Sequence, residues 1–365
     1  MTLSPELLAR IRSRAAGYDR DNAFFTEDLD ELRAAGYLAP RSLLEMALDQ
    51  RLLAAHAPAT ALGINMHLVW VGVATVLHNR GDHSLDWLLE EAAAGELFAF
   101  GNSEQGNDLV LFDSLTKAET VEGGYRFTGT KIFTSLSPAW TRLGIFGRDG
   151  DQLVHGFITR ETPGWHSLDD WDTLGQRATQ SHTTVLDGVV VPSDRVSRVL
   201  PVGPSADPFV FGIFSSFLTL IASVYAGIAD RALELSVEAA HRRTSLKNGG
   251  AAYAQDPDIR WRVADAALAL DALGPQIEGL AVDVDNAVDH GTQWFRQLTG
   301  VKHRSTETAR YVVDQAMRVG GGGAYRASSE LARLQRDVLA GIYHPSDTES
   351  VHSTVATALL GPVAS

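Results

Sequence analysis

Gly124-Tyr125-Arg126-Phe127-Thr128-Gly129-Thr130-Lys131-Ile132-Phe133-Thr134-Ser135 is a β-rich run that opens on a Gly123-Gly124 turn, and its place in the chain decides the fold. Further short β-rich runs follow at Leu153 to Thr159 and Thr183 to Val191, with turn signals at residues 147–150 and at Pro163-Gly164. They mark residues 96–200 as a compact β-domain. On both sides the texture is helical. In residues 1–95, Leu7, Leu8, Ile11 and Ala15 recur at three-to-four spacing behind a capped start with Pro5 in the first turn. Thr26 can cap a segment bearing Leu29 and Leu32 that Gly36 ends, and residues 59–78 are apolar nearly all round, which places them inside a helical layer. In residues 201–365 helical spacing returns at Leu233, Val237 and Ala240 and persists through the alanine-rich stretch 263–274. Helices, then a β-domain, then helices make a segregated, mostly helical α+β chain and not a series of βαβ units. The Gly320 to Gly323 run lies between helical segments instead of following a strand, so it is no dinucleotide fingerprint and a nicotinamide dehydrogenase is not expected.

Composition narrows the partners. The 365 residues are 45% hydrophobic, enough for substantial cores, and 31 basic against 45 acidic residues give a net charge of −14. That charge repels phosphate backbones and anionic lipid, so neither nucleic acid nor a membrane surface is an expected partner. The chain has no cysteine, which removes disulfides, thiolate metal sites and cysteine nucleophiles, and fits a cytoplasmic location. Met1 to Leu7 shows no targeting signal. Phe209 to Ala229 approaches membrane-span length, but Gly212, Ser215, Ser216, Thr219, Ser223 and Gly227 interrupt it, and it reads as a buried core helix.

Three blocks in order resemble the acyl-CoA dehydrogenase superfamily over essentially the whole chain. Gly101-Asn102-Ser103-Glu104-Gln105-Gly106-Asn107-Asp108 looks like a shortened form of that family's TEPxxGSD loop. The run from Gly124 to Ser135 is similar to its GyxlnGxKxxIT strand pair, continued by Pro163-Gly164, Leu174-Gly175-Gln176-Arg177-Ala178-Thr179 and Val191-Pro192. Gly321-Gly322 through Arg336-Asp337 is similar to its GGxG and RD pattern. The resemblance implies an N-terminal helical domain, a central β-barrel and a C-terminal four-helix bundle, assembled as a homodimer or homotetramer with flavin between barrel and bundle. It places Ser103 and Ser135 on hydroxyls that contact the flavin, the latter near N5, and Phe133 on the aromatic residue beside the ring. Asn102 and Thr134 fall within the same cofactor-binding set. Arg242 falls on the arginine that reaches the cofactor pyrophosphate from a neighbouring subunit, and Gly321 and Gly322 on glycines that let backbone approach the adenine half. These placements suit the chemistry, because a diphosphate favours a guanidinium and close backbone approach favours residues without a Cβ. The family's usual glutamine before the glycine pair is Arg318, and the aromatic residue after the arginine is Ser245, so FMN stands beside FAD as the expected cofactor.

The departure that bears on chemistry is a missing base. Dehydrogenating an acyl thioester needs a group to take the Cα proton, and the family supplies a carboxylate eight residues after Asp337 or on the first long helix after the barrel. Those positions are Pro345 and Phe217. One residue earlier stands His344, which resembles the flavin-dependent monooxygenase branch, dibenzothiophene monooxygenase among it. His67, in the apolar 59–78 segment, matches a second histidine of that branch, although a lone histidine in an apolar helix is more often core. An imidazole whose pKa lies near the working pH can pass a proton to or from a substrate. The leading expectation is a monooxygenase using reduced flavin and dioxygen on a hydrophobic small molecule, with His344, His67 and Ser135 at the site and a separate reductase supplying the flavin. An apolar pocket would be formed by residues 59–78 with Phe211, Phe214 and Phe217. The alternative is dehydrogenation of an acyl-CoA or acyl-carrier substrate with an atypical base. No metal site is expected from the histidine spacing.

Overall fold

The computed structural model describes residues 3–361 and 363, so Met1 and Thr2 of the N-terminal reading lie outside the described residues. Five helices come first: α1 (Pro5–Asp21), α2 (Thr26–Ala34), α3 (Leu43–Ala54), α4 (Pro58–Asn79) and α5 (Asp86–Ala93). Ser4 caps α1, its Oγ accepting from Leu7 N at 3.2 Å. α2 starts differently from the expectation: Thr26 is its first residue, and fully buried Phe25 occupies the cap position without a side-chain bond. α4 is the helical layer's core, enclosed on nearly all sides as its unbroken apolar surface requires.

Eight strands follow: β1 (Phe98–Gly101), β2 (Lys117–Val121), β3 (Gly124–Thr134), β4 (Arg142–Asp149), β5 (Gln152–Thr159), β6 (Trp165–Ser167), β7 (His182–Pro192) and β8 (Val196–Pro201). They form one mixed sheet in the order β6-β7-β3-β2-β4-β5-β8, with β1 added parallel to β4. Among the described residues no pairing joins β6 to β8, so the sheet stays open where a closed barrel was expected. The end strand β6 is only three residues long, and β1 is tied to α4 by the Trp70 indole, which donates to Ala99 O at 2.9 Å.

The rest of the chain is helical apart from a small hairpin of β9 (Thr244–Ser245) and β10 (Ala251–Ala252): α6 (Pro208–Arg242), α7 (Pro257–Asp271), α8 (Leu273–Asp285), α9 (Gln293–Gly320), α10 (Glu330–Val338) and α11 (Thr348–Leu360). α6 to α9 pack against one another, and α10 and α11 add to α9, two helices beyond the four of the expected bundle. α4 and α6 are long and apolar enough to cross a membrane, yet 94% and 83% of their most apolar windows are buried inside the protein, as core helices require.

One buried ion pair ties the sheet to the loop after β1. Lys131 Nζ on β3 lies 2.6 Å from Glu104 Oε1, and both side chains are withdrawn from water. Ser114 Oγ, Leu115 N, Thr116 N and Asn107 Nδ2 also donate to the Glu104 carboxylate, at 2.7–2.9 Å. Burial would raise the carboxyl pKa, but the lysine charge and these donors outweigh it and hold it down to about 2. Removing one member of such a pair strands the other's charge. Lys131→Met should therefore destabilise the fold by about 3–5 kcal/mol in urea unfolding. A loss below ~1 kcal/mol would show that the neutral donors alone satisfy Glu104.

Candidate functional site

Glu104 positions the two residues before it. Ser103 O accepts from Ile132 N at 2.9 Å, so residues 102–104 run along β3. Asn102 is only 2% exposed, and both its amide atoms lack a hydrogen-bond partner. The β3–β7 pairing is broken between Lys131 and Thr134, and within that irregularity Phe133 takes φ +58°. A bulky residue there is strained, and the consequence is visible: its ring is turned outward, 53% exposed, edge-on to Trp171 at 6.1 Å. The next residue, Thr134, is fully buried with an unpartnered Oγ1. One seam of the sheet thus carries an outward aromatic face beside two buried polar groups that nothing in the chain satisfies. The outward Phe133 ring offers a flat ligand such as an isoalloxazine a face to stack on.

Ser135 continues the seam. Its Oγ lies 2.8 Å from Ser181 Oγ, which donates to Thr179 Oγ1 at 2.8 Å, and Thr179 Oγ1 donates to Gln176 O at 2.9 Å. The turn holding these groups is anchored to the C-terminal helices. Buried Asp337 accepts from Gln176 N at 2.6 Å, while Gln176 Nε2 donates to Asp337 O at 3.2 Å. Gly175 permits the contact, because a Cβ there would lie 2.3 Å from Arg336 O. Arg336 adds bonds to Leu174 O at 3.1 Å and to Asp19 on α1 at 2.6 Å. The sequence pointed to Arg336-Asp337 and Leu174 to Thr179 as separate motifs, and their joint function is this joint. Ser181 was missed, and no spacing signal marks it.

His344 and His67 part company. His344 Nε2 bonds Tyr225 Oη at 2.9 Å, and its Nδ1 makes no bond within the described chain. Its loop is clamped by buried Lys302, whose Nζ donates to the carbonyls of Gly341, His344 and Ser346 at 3.0–3.1 Å. The expectation of a pKa near neutrality is not met: withdrawal from water, then the Lys302 charge, pushes His344 down to about 3. His344 is therefore a neutral imidazole at working pH. His67 is fully buried with both nitrogens taken, Nε2 donating to Leu38 O at 2.9 Å and Nδ1 accepting from Phe98 N at 3.1 Å. It keeps no nitrogen for a ligand and fastens α4 to β1.

The remaining residues form a second group. Arg242 is exposed in the last turn of α6, with no partner among the described residues. Arg243, which the sequence reading passed over, turns back over the Tyr253 ring and bonds Val319 O. Gly321 has φ +63°, and a Cβ there would lie 2.6 Å from the Arg243 guanidinium, so the chain's own arginine fills its open side. Gly322 has nothing within 4 Å of a Cβ. The expected apolar pocket is regrouped: Phe211 and Phe214 pack on Trp294 and Phe295 of α9, at 5.2 Å each, and the Arg80 guanidinium at the end of α4 lies 4.7 Å over the Phe211 ring. α6 meets α4 through the small Gly212 and Ser216, which let the helices approach. Phe217 is half-buried, and Asp347 caps α11, accepting from Ser350 N at 2.8 Å. His78, His83 and Asp86 cluster near the surface, each histidine Nδ1 bonding a different oxygen of the Asp86 carboxylate, at 2.9 and 2.8 Å.

Comparison with known proteins gives this arrangement a lineage. Residues 219–346 match the acyl-CoA dehydrogenase C-terminal domain. The acyl-CoA dehydrogenase-like YdbM of Bacillus subtilis is 28% identical, covering 94% of this chain and 92% of its own. The L-evernosamine nitrososynthase of a Micromonospora species is 28% identical over 92% and 83%, and the dibenzothiophene monooxygenase of Mycolicibacterium goodii is 26% identical over 91% and 87%. The structure of KijD3 in complex with FMN and dTDP-3-amino-2,3,6-trideoxy-4-keto-3-methyl-D-glucose superposes with a TM-score of 0.84 at 26% identity, covering 98% of this chain and 92% of that one. The chain's homologues thus include acyl-CoA dehydrogenases, nitrososynthases and a dibenzothiophene monooxygenase, the superfamily that the motifs resemble.

The assignment of His67 to the core has a pH signature. Burial, partly offset by the Leu38 bond, pushes it down to about 4 from an ordinary 6.5. The stability this group contributes is complete above pH 6.5 and is lost as pH falls toward 4, because the unfolded chain binds the proton first. In urea unfolding, the loss between pH 7 and pH 5 should be about 2 kcal/mol smaller in His67→Gln than in the parent. Equal losses would contradict a neutral, buried His67.

Proposed function

We propose that the protein is a flavin-dependent monooxygenase acting on a hydrophobic small molecule. The observation that carries the reading is the group standing where a base is needed. Acyl-thioester dehydrogenation needs a proton acceptor at Pro345 or Phe217, and neither side chain can accept a proton. Beside Pro345, His344 presents a neutral ring, its Nε2 fixed by Tyr225 and its Nδ1 free. Such a ring can donate or accept a hydrogen bond without bringing charge into an apolar site.

Reduced flavin, when bound, supplies the electrons that activate dioxygen. The protein's part is to hold and shield. Phe133 offers the ring a face, Ser135 adds a hydroxyl from a rigid chain, and Asn102, Ser103 and Thr134 supply the backbone around them, Ser103 O accepting from Ile132 N. Arg242 would serve the phosphate end of FAD or FMN across a homo-oligomer, the exposed arginine being free to reach a neighbouring subunit, and the open Gly322, beside a Gly321 that Arg243 covers, would leave room for the adenine half of FAD. A separate reductase would supply the reduced flavin. FMN in the KijD3 structure and oxygenating relatives support this reading. Dehydrogenation of an acyl thioester, with His344 as base, is the second reading, favoured by the similarity to YdbM.

Loading the protein separately with FMN and FAD, reducing it anaerobically and mixing it with oxygenated buffer separates the two. Monooxygenase chemistry predicts an oxygen-dependent absorbance transient, shortened by His344→Gln with product formation falling about 100-fold. Bleaching of oxidised flavin by an acyl-CoA panel without oxygen, and no transient, would favour the dehydrogenase.

A further inference from the structure

The hydroxyl chain behind Ser135 has a direction, and we infer that it makes the site select reduced over oxidised flavin. The inference rests on the flavin reading above, with Ser135 at N5. The chain runs Ser135 Oγ, Ser181 Oγ, Thr179 Oγ1, Gln176 O, with successive separations of 2.8, 2.8 and 2.9 Å. A hydroxyl has one proton to give and a carbonyl oxygen has none. Because the chain ends on an acceptor-only group, the proton of Thr179 goes to Gln176 O, that of Ser181 to Thr179, and that of Ser135 to Ser181. Ser135 Oγ therefore faces an incoming ligand with lone pairs only.

The acceptor end is held in place. The turn Arg177–Thr179 is flanked by Gln176 at φ +55° and Gln180 at φ +43°, both in the left-handed region that side chains of this size avoid. Asp337 fixes Gln176 through two bonds, and Gln180 Nε2 donates to Asn22 O at 2.9 Å and Arg177 O at 3.0 Å. Strain that persists because its surroundings over-determine it is what a preorganised site shows. Ser135, Ser181 and Thr179 are all buried, so bulk water does not compete for their protons.

The ring's N5 is an acceptor when oxidised and carries N–H when reduced. An acceptor-only Ser135 pairs with that N–H, whereas oxidised N5 would meet a lone pair. For Ser135 to donate outward, either its bond to Ser181 is lost, or the hydroxyls of Ser181 and Thr179 reverse with it and Gln176 O loses the Thr179 proton. The chain thus favours the form of the cofactor that reacts with dioxygen, and by linkage raises the midpoint potential of the bound flavin.

The test is the ratio of Kd for oxidised FMN to Kd for reduced FMN, measured anaerobically on the full chain and on Ser181→Ala, Thr179→Val and Ser135→Ala. Ser181→Ala frees the Ser135 proton, and Thr179→Val lets Ser181 donate to Ser135. Each should lower the ratio by about fivefold to tenfold, the worth of one hydrogen bond, and lower the midpoint potential with it. A ratio unchanged in both variants but altered in Ser135→Ala would overturn the directional chain while leaving the flavin site standing. A ratio identical in all four proteins would remove Ser135 from N5, and no binding of FMN in either state would sink the flavin reading as well.

Discussion

The carboxylate of Asp337, buried in the C-terminal helical layer, accepts the backbone N–H of Gln176 from the loop that precedes β7, and the site depends on that bond. It crosses the boundary between sheet and helices at a point where both sides are dry. Burial raises the Asp337 pKa to about 6 despite the nearby Arg333 and the Gln176 bond. Through this joint the turn at Arg177–Thr179 is held in a strained geometry, the hydroxyls of Thr179 and Ser181 line up, and Ser135 acquires a defined orientation. On the helical side, the same region carries Tyr225, which feels the Asp337 charge and bonds His344.

A second constraint acts from inside the sheet. Five donors converge on Glu104, and their effect is to hold Asn102 and Ser103 along β3 next to the irregularity that exposes Phe133. A buried charge pair is weak evidence for stability as such. Here it has a positional result, adding to the bond from Ile132 N to Ser103 O in holding the start of the loop from 102 to 116 along β3. On the far side, Lys302 does the equivalent for the His344 loop by donating to three carbonyls, a use of an ammonium group that needs no partner carboxylate.

Much of this was legible in the residues. The change from three-to-four spacing to short β-rich runs and back located the helical and sheet segments, and the ordered motifs pointed to Phe133, Ser135 and His344. What failed to show was whatever depends on long-range closure. Nothing local says whether a sheet closes, so the open edge between β6 and β8 could not be read. Phe211 and Phe214 read as walls of a pocket with residues 59–78, but the close contact between α6 and α4 is made by the small Gly212 and Ser216, and the two rings meet Trp294 and Phe295 of α9. His67 illustrates the limit most clearly: its segment and residue type suited a proton donor, while the two backbone groups that occupy it come from Leu38 and Phe98, distant in sequence. Ser181 carries no motif at all and becomes meaningful only once Thr179 and Ser135 are seen on either side of it.

The central claim is that the seam of Asn102, Phe133, Thr134 and Ser135 holds a flavin ring. A crystal structure of the protein with FMN bound measures this directly. The ring should lie against Phe133, with its N5 about 3 Å from the Ser135 hydroxyl. FMN bound elsewhere, away from Phe133 and Ser135, would contradict it.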